Sequence, residues 1–277
     1  MNRLLNFDFK HRRGSNMEEQ IIVYDRFSCK NCADKGRLDF DFTMAFQPIV
    51  NCVTKQIFGY EALVRGLNNE SAYSIISKVN EDNRYLFDQL CRVKAIALAS
   101  KLKLDSMLSI NFLPNAVYKP ERCIRTTLDA AKQYNFPAEK IMFEFTEGEK
   151  IEDSSIIKNI VDYYGEVGFL TAVDDFGAGY AGLGLLADFQ TNIVKLDMGL
   201  IRNIESHAAK QSIVRNCLLM FQELNITPLA EGIETFEEME WLRDAGIELL
   251  QGYFFAKPGF ESLPQVDFNT LSRPKIS

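Results

Sequence analysis

Acidic and amide side chains recur along this chain at or near the ends of short apolar runs. They are Glu61 in FGYEALVRG, Asn111 in LSINFLP, Glu144 in IMFEFTE, the Asp174–Asp175 pair in LTAVDDFGAG, Glu231 in PLAEGIE and Gln251 in LLQGYFFAKP, and Lys195 in NIVKLD joins them as a cation. One charged side chain at one strand end could be accidental. Repetition in successive strand–helix units means that the strand ends converge, and in a parallel α/β barrel they converge on the C-terminal mouth. Oxygen donors in this number, with no histidine among them, suit magnesium or manganese better than zinc.

Converging strand ends would crowd Glu61, Glu144, Asp174 and Asp175, a strongly repulsive cluster that one or two divalent ions would offset. Neighbouring side chains diverge at a strand end, so Asp174 and Asp175 can each serve a different ion, or one can ligate while both share the pair. Two ions about 3.5–4 Å apart are the usual arrangement for phosphoester hydrolysis. Lys195 would then orient the attacking water or help deprotonate it; the plainer alternative is a salt bridge to Asp197, two residues on along the same strand face. The loop Asp175-Phe176-Gly177-Ala178-Gly179-Tyr180 follows the acidic pair directly, so a mobile loop coupled to the metals is expected. Trp241 and the many phenylalanines read as core rather than as base-stacking platforms.

The elements that must position these groups are legible from periodicity. Strand-like runs occur at 43–50, 56–64, 107–112, 140–146, 169–174, 192–196, 227–230 and 247–250. Only a few residues around Asn51–Lys55 join the first two, too short for a parallel crossover, so an antiparallel hairpin is expected. Leu86, Leu90, Val93 and Ala97 mark one helix face, and Ile213, Cys217 and Phe221, flanked by Val214, Leu218 and Leu224, mark another. Thr235-x-x-Glu238 is a capping box opening a helix that Gly246 can close. Eight strands with interleaved helices give an α/β fold, a modified TIM (β/α)8 barrel with an antiparallel first strand.

The 277 residues suit one such barrel, and 47% hydrophobic with 25% charged residues is ordinary globular composition. A net charge of -7 argues against a DNA or RNA polymer as partner. An anionic small substrate stays possible, because bound metal ions would dominate the local charge. No apolar run approaches the ~18–20 residues of a membrane span, and the N-terminus lacks the pattern of a secretory signal, so a cytoplasmic protein is expected. Residues 1–40 mix charges and show no sustained period, and read as an N-terminal extension with at most a short strand around Ile21–Tyr24, leaving 41–277 as the catalytic domain. Of the cysteines, only Cys29-x-x-Cys32 is closely spaced, and no second pair completes a zinc site.

Glu61-Ala62-Leu63 with Arg65 two further on, together with the motifs above in this order, closely resembles the EAL domain family of cyclic-di-GMP phosphodiesterases, from about Phe42 to Pro258. The resemblance implies a barrel with an antiparallel first strand and hydrolysis of one phosphodiester of cyclic-di-GMP to linear pGpG. It implies Mg2+ or Mn2+, two ions per site, held by Glu61, Asn111, Glu144, Asp174 and Asp175. By the same resemblance Lys195 and Glu231 position or activate water, with Glu231 also near a metal, and Gln251 organises the water and metal shell on the substrate side. Gln47 and Arg65 match substrate-binding positions, Glu147 matches a residue that pins the loop after Asp175, and Glu234 belongs to the same outer shell. A homodimer bordering that loop is implied too. The loop reads FGAGYAGLGLL where many members carry threonine and serines, which bears on loop and dimer behaviour more than on the ligands. No diguanylate cyclase, light-sensing flavin or receiver domain fits into residues 1–40, so a stand-alone EAL protein is expected.

Two other readings compete. A catalytically weak EAL protein acting as a cyclic-di-GMP receptor or protein-binding adaptor would normally lack several ligands, and none is missing here. An unrelated enolase-type barrel lyase would need a different arrangement of bases and acids, which Lys195 followed by Asp197 fits less well.

Overall fold

Alternating apolar positions commit the chain to eight strands that close on themselves. A computed structural model describes residues 38–114, 117, 120–146, 154–179 and 182–272. The expectations for Ile21–Tyr24, Cys29, Cys32 and Glu147 lie outside the described residues. The strands are β1 (Thr43–Asn51), β2 (Gln56–Arg65), β3 (Met107–Asn111), β4 (Ile141–Thr146), β5 (Leu170–Phe176), β6 (Ile193–Leu196), β7 (Thr227–Ala230) and β8 (Leu249–Gln251). Their order is β2-β3-β4-β5-β6-β7-β8-β1, and β1 pairs with β2 to close the barrel. β1 runs antiparallel to both neighbours, as the short hairpin demands, while β2 through β8 are parallel. The hairpin turn is built by Asn51, whose Oδ1 accepts from the Val53 and Thr54 amides at 3.0 and 2.8 Å. A ninth, two-residue strand, β9 (Gly259–Phe260), adds to the outer part of β1 and had no legible period.

Among the described residues the α-helices are α1 (Ala72–Ile76), α2 (Arg84–Lys101), α3 (Pro120–Tyr134), α4 (Ser154–Val167), α5 (Gly182–Asp188), α6 (Met198–Ile201), α7 (Ala208–Glu223) and α8 (Phe236–Asp244). Leu86, Leu90, Val93 and Ala97 are buried along α2 as expected. On α7 most of the expected face is inward: Val214 and Phe221 are fully buried and Cys217, Leu218 and Leu224 pack against the core, while Ile213 is exposed. One residue is a rotation of about 100° on a helix, so Ile213 points beside the core that its neighbour Val214 enters. The Thr235–Glu238 capping box forms, and Gly246, at φ +98°, follows the C-cap of α8. The glycine-rich segment after Asp175 leads into α5, in which Leu185 and Leu186 are buried. Trp241 packs against the main core, with Arg215 Cζ 5.2 Å from its ring.

Inside the barrel a plug of Ile49, Met142, Ala172, Ile193, Leu229 and Leu249 fills the floor. Strand side chains repeat on one face every second residue. Two residues beyond five of these plug positions stand Glu144, Asp174, Lys195, Glu231 and Gln251. The apolar layer therefore fixes the height of the polar one.

Candidate active site

Lys195 occupies the centre of that polar layer and is fully buried. Its Nζ lies 2.9 Å from Asp174 Oδ1, 3.0 Å from Glu144 Oε2, 3.1 Å from Glu231 Oε2 and 3.5 Å from Glu61 Oε2. Glu61 is clamped from both sides: Asn111 Nδ2 donates to its Oε1 at 2.7 Å and Gln251 Nε2 to its Oε2 at 2.8 Å. Each amide spends its NH2 group on Glu61. Asn111 thus keeps its carbonyl oxygen for a further partner.

In a regular strand Asp174 and Asp175 would face opposite sides of the sheet. Here the β5–β6 register shifts between Val173 and Phe176, and Asp175 takes a left-handed φ of 55°. A bulge of this kind re-aims side chains, and both carboxylates reach the cluster. Two triplets result, Glu61/Glu144/Asp174 and Asp174/Asp175/Glu231, each offering one oxygen per residue within 4.8 Å of the others. Asp174 belongs to both.

One ammonium facing four carboxylates leaves the layer short of positive charge. Burial pushes the Glu144 carboxyl up to about 8, against the pull of Lys195 and with a further push from Glu61 and Asp174. Burial likewise pushes Glu231 up to about 9, opposed by Lys195 and reinforced by Asp174. Asp175 is also raised, by burial and then by Asp174. Burial opposes the charge on Lys195, but the surrounding carboxylates outweigh it and hold the ammonium well above its ordinary value. Among the described residues Glu144 Oε1 and Gln251 Oε1 are buried and find no hydrogen-bond partner. All-oxygen donors, excess negative charge and unspent buried lone pairs are what a hard divalent cation requires. The residues present fit magnesium or manganese.

The remaining expected residues lie around this layer. Gln47 is buried directly across the β1–β2 ladder from Glu61, and its Nε2 donates to Ala256 O at 3.3 Å. Arg65 lies four residues past Glu61 on the same strand face, nearer the mouth; its NH1 bonds the neighbouring Val64 carbonyl, and it makes no contact with the carboxylates. Asp197 does not pair with Lys195. It caps α6, accepting from the Gly199 amide at 2.8 Å, which removes the plain salt-bridge reading. Glu234 stays outside the cluster and pairs with Arg202 at 2.8 Å. Arg202 itself gave no sequence cue. Glu238, legible only as a capping residue, also accepts from the Asn203 amide at 2.9 Å.

The chain matches the EAL domain over residues 37–258. It belongs to the EAL domain family. A standalone EAL protein from Vibrio cholerae O395, solved in a c-di-GMP bound form, is 73% identical, with 85% of this chain and 99% of that one covered and a TM-score of 0.82. BlrP1 of Klebsiella pneumoniae, solved as a manganese and cyclic-di-GMP complex at pH 9.0, is 33% identical over 82% of this chain and 58% of that one, with a TM-score of 0.75. Among curated relatives, the blue light- and temperature-regulated antirepressor BluF of Escherichia coli K12 is 32% identical, covering 80% of this chain and 55% of BluF. The probable cyclic di-GMP phosphodiesterase PdeG of the same organism is 28% identical, covering 83% of this chain and 47% of PdeG. The chain thus spans about half the length of these two relatives. The barrel with its antiparallel strand pair is the fold expected of an EAL domain.

Proposed function

We propose that this EAL chain hydrolyses cyclic di-GMP to linear pGpG with magnesium or manganese. The observation that carries the reading is a fully buried lysine at a barrel mouth, ringed by two overlapping carboxylate triplets that share Asp174. Glu61, Asn111, Glu144, Asp174, Asp175 and Glu231 would hold two cations. Bound there, the cations would supply Lewis-acid charge to the phosphate and acidify water.

The chain's own groups do the rest. Glu231 faces Lys195 at 3.1 Å, where its carboxylate can accept from the attacking water and hold it in line with the ammonium. Lys195 keeps Asp174, Glu144 and Glu231 facing one point and donates toward the water that attacks phosphorus. The new P–O bond forms as the bond to the ribose O3′ breaks; that oxygen leaves with a proton and the 5′-phosphate stays on the linear product. Gln251 and Asn111 fix the rotamer of Glu61 through the two bonds to its oxygens. Arg65 and Gln47 would hold phosphate and guanine at the mouth, and Glu147 and Glu234 would support the loops around it.

Incubating the full chain with cyclic di-GMP and Mg2+ or Mn2+, and resolving pGpG by chromatography, tests the reading. A second reading, a cyclic-di-GMP receptor or protein-binding adaptor, draws on the relative BluF, named an antirepressor. Tight binding of cyclic di-GMP without pGpG formation would favour it. The reading extends to a homodimer in the cytoplasm: Leu183 on α5 and Ile156 on α4 are exposed apolar residues on helices that pack together. Among the described residues no helix is long and apolar enough to cross a membrane.

A further inference from the structure

A second buried ion pair lies outside the barrel wall, behind the carboxylate layer. Asp88 and Arg92 sit one turn apart on α2, with NH2 2.7 Å from Oδ2 and side chains 2% and 0% exposed. Arg92 NH1 donates to the Tyr164 hydroxyl of α4 at 3.1 Å. Its Cζ stands 5.6 Å from the centre of the Phe112 ring and 5.1 Å from that of Phe143. Burying two charges costs free energy that apolar residues would avoid, so the positions of their partners are informative.

Those partners are the immediate neighbours of two proposed ligands. Phe112 follows Asn111 and Phe143 precedes Glu144, each facing out of the barrel where its neighbour faces in. The Phe112 amide donates to the Glu144 carbonyl at 2.9 Å, and the two rings meet edge to face with centroids 5.9 Å apart. Beyond β3 the ladder ends, and the next amide, Leu113 N, donates to Asp88 Oδ1 at 3.0 Å. One carboxylate therefore divides its oxygens between a buried guanidinium and the backbone just past Asn111.

We propose that Asp88 is a positioning residue: neutralised by Arg92, it anchors the Leu113 amide and fixes the exit of β3, so that Asn111 and Glu144 present their oxygens to the divalent cation in a set geometry. This rests on the metal-site reading above. Outer groups that orient ligands typically change metal affinity about 10–100-fold when lost.

Two charge-free variants isolate the anchor. Asp88→Asn/Arg92→Met keeps an acceptor for Leu113 N, and Asp88→Leu/Arg92→Met lacks one. Mn2+ titrations followed by thermal shift should give a half-saturating concentration at least about tenfold higher for the leucine variant. The asparagine variant should return most of the way to wild type, with KM for cyclic di-GMP little changed in both. Equal midpoints in the two variants, whether or not they differ from wild type, would overturn the proposal, since a merely structural pair would move both alike. A wild-type chain with no Mn2+-dependent shift would overturn the metal-site reading itself, and this inference with it. Hydrogen exchange on the unaltered chain is the second measurement: saturating Mn2+ should slow exchange of the Leu113 amide together with the amides of β3 and β4. Protection gained in β4 and β5 with Leu113 unchanged would count against the anchor.

Discussion

Asp174 Oδ1 stands 2.9 Å from the ammonium of Lys195, and the same carboxylate is common to both acidic triplets. Removing it should therefore disable both proposed cation positions, where removing Glu61 should disable one. Asp174→Ala, Glu61→Ala and Asn111→Ala are each expected to lower turnover by at least about a hundredfold, the upper end of the cost of losing an outer orienting group. The acid-to-alanine variants should be at least as stable as wild type without metal, because crowded negative charge is relieved. Metal counting should then find fewer bound ions in Asp174→Ala than in Glu61→Ala. A folded Asp174→Ala protein with near-normal turnover would sink the assignment.

Lys195 should behave in the opposite sense. Lys195→Met leaves buried carboxylates without their cation, and breaking a buried ion pair from one side costs about 3–5 kcal/mol. Magnesium or manganese should restore much of that stability while turnover stays low. Glu231→Gln should lower turnover far more than it weakens cyclic di-GMP binding. Calorimetry in calcium, which fills oxygen-ligand sites, can measure that binding. A Glu231 variant that loses binding and keeps its single-turnover rate would reverse the assigned role.

The pH dependence follows from Glu144, raised to about 8, and Glu231, raised to about 9. In the metal-free folded chain both hold protons that the unfolded chain releases in the ordinary carboxylate range. The folded state is thus favoured by proton binding at low pH, and this contribution declines as pH rises above the ordinary carboxylate range and is lost once pH passes about 8 to 9. Metal-free melting temperature should fall across that window, and added Mn2+ should flatten the fall. Metal must displace the same protons, so the half-saturating Mn2+ concentration should drop as pH rises from 7 toward 9. A pH-independent midpoint would show that neither carboxyl is a ligand.

Much of this site was legible because each polar residue sits two positions beyond an inward apolar one, and period two is visible in sequence. Met142 with Glu144 and Ile193 with Lys195 show it. The short Asn51–Lys55 turn likewise dictated the antiparallel start. That Asp174 and Asp175 both join the cluster was expected, but the means was not legible: it depends on a register shift against β6 and a positive φ at Asp175. Arg202 and Asp88 were missed for the same reason, since their partners at Gly232 and Leu113 lie 30 and 25 residues away. On α7 only the edge of the stripe was misplaced, with Val214 rather than Ile213 turned inward.

The exit of β7 supplies the last prediction. Glu231 is followed by a segment without regular structure before α8 begins, and Gly232 takes φ +72°. Arg202, just past α6, reaches across to it: NH2 donates to Gly232 O at 3.2 Å and pairs with Glu234 at 2.8 Å, while NH1 lies 3.4 Å from buried Glu238. Glu238 in turn accepts from the amides of Asn203, Glu234 and Thr235. The segments that follow Lys195 and Glu231 in the chain are thus tied through one guanidinium and one carboxylate. Arg202→Ala should lower kcat about tenfold with KM little changed, because it frees the Glu231 backbone without removing a ligand. Arg202→Lys should rescue it poorly, since an ammonium lacks the fork that reaches a carbonyl and two carboxylates together. Arg202 is partly exposed, so the loss of stability should be small, about 1 kcal/mol or less. Steady-state kinetics on both variants decides the matter: a wild-type kcat in Arg202→Ala would mean that the bonds from Glu231 N to Leu196 O and from Ile233 N to Gln251 O hold the loop unaided.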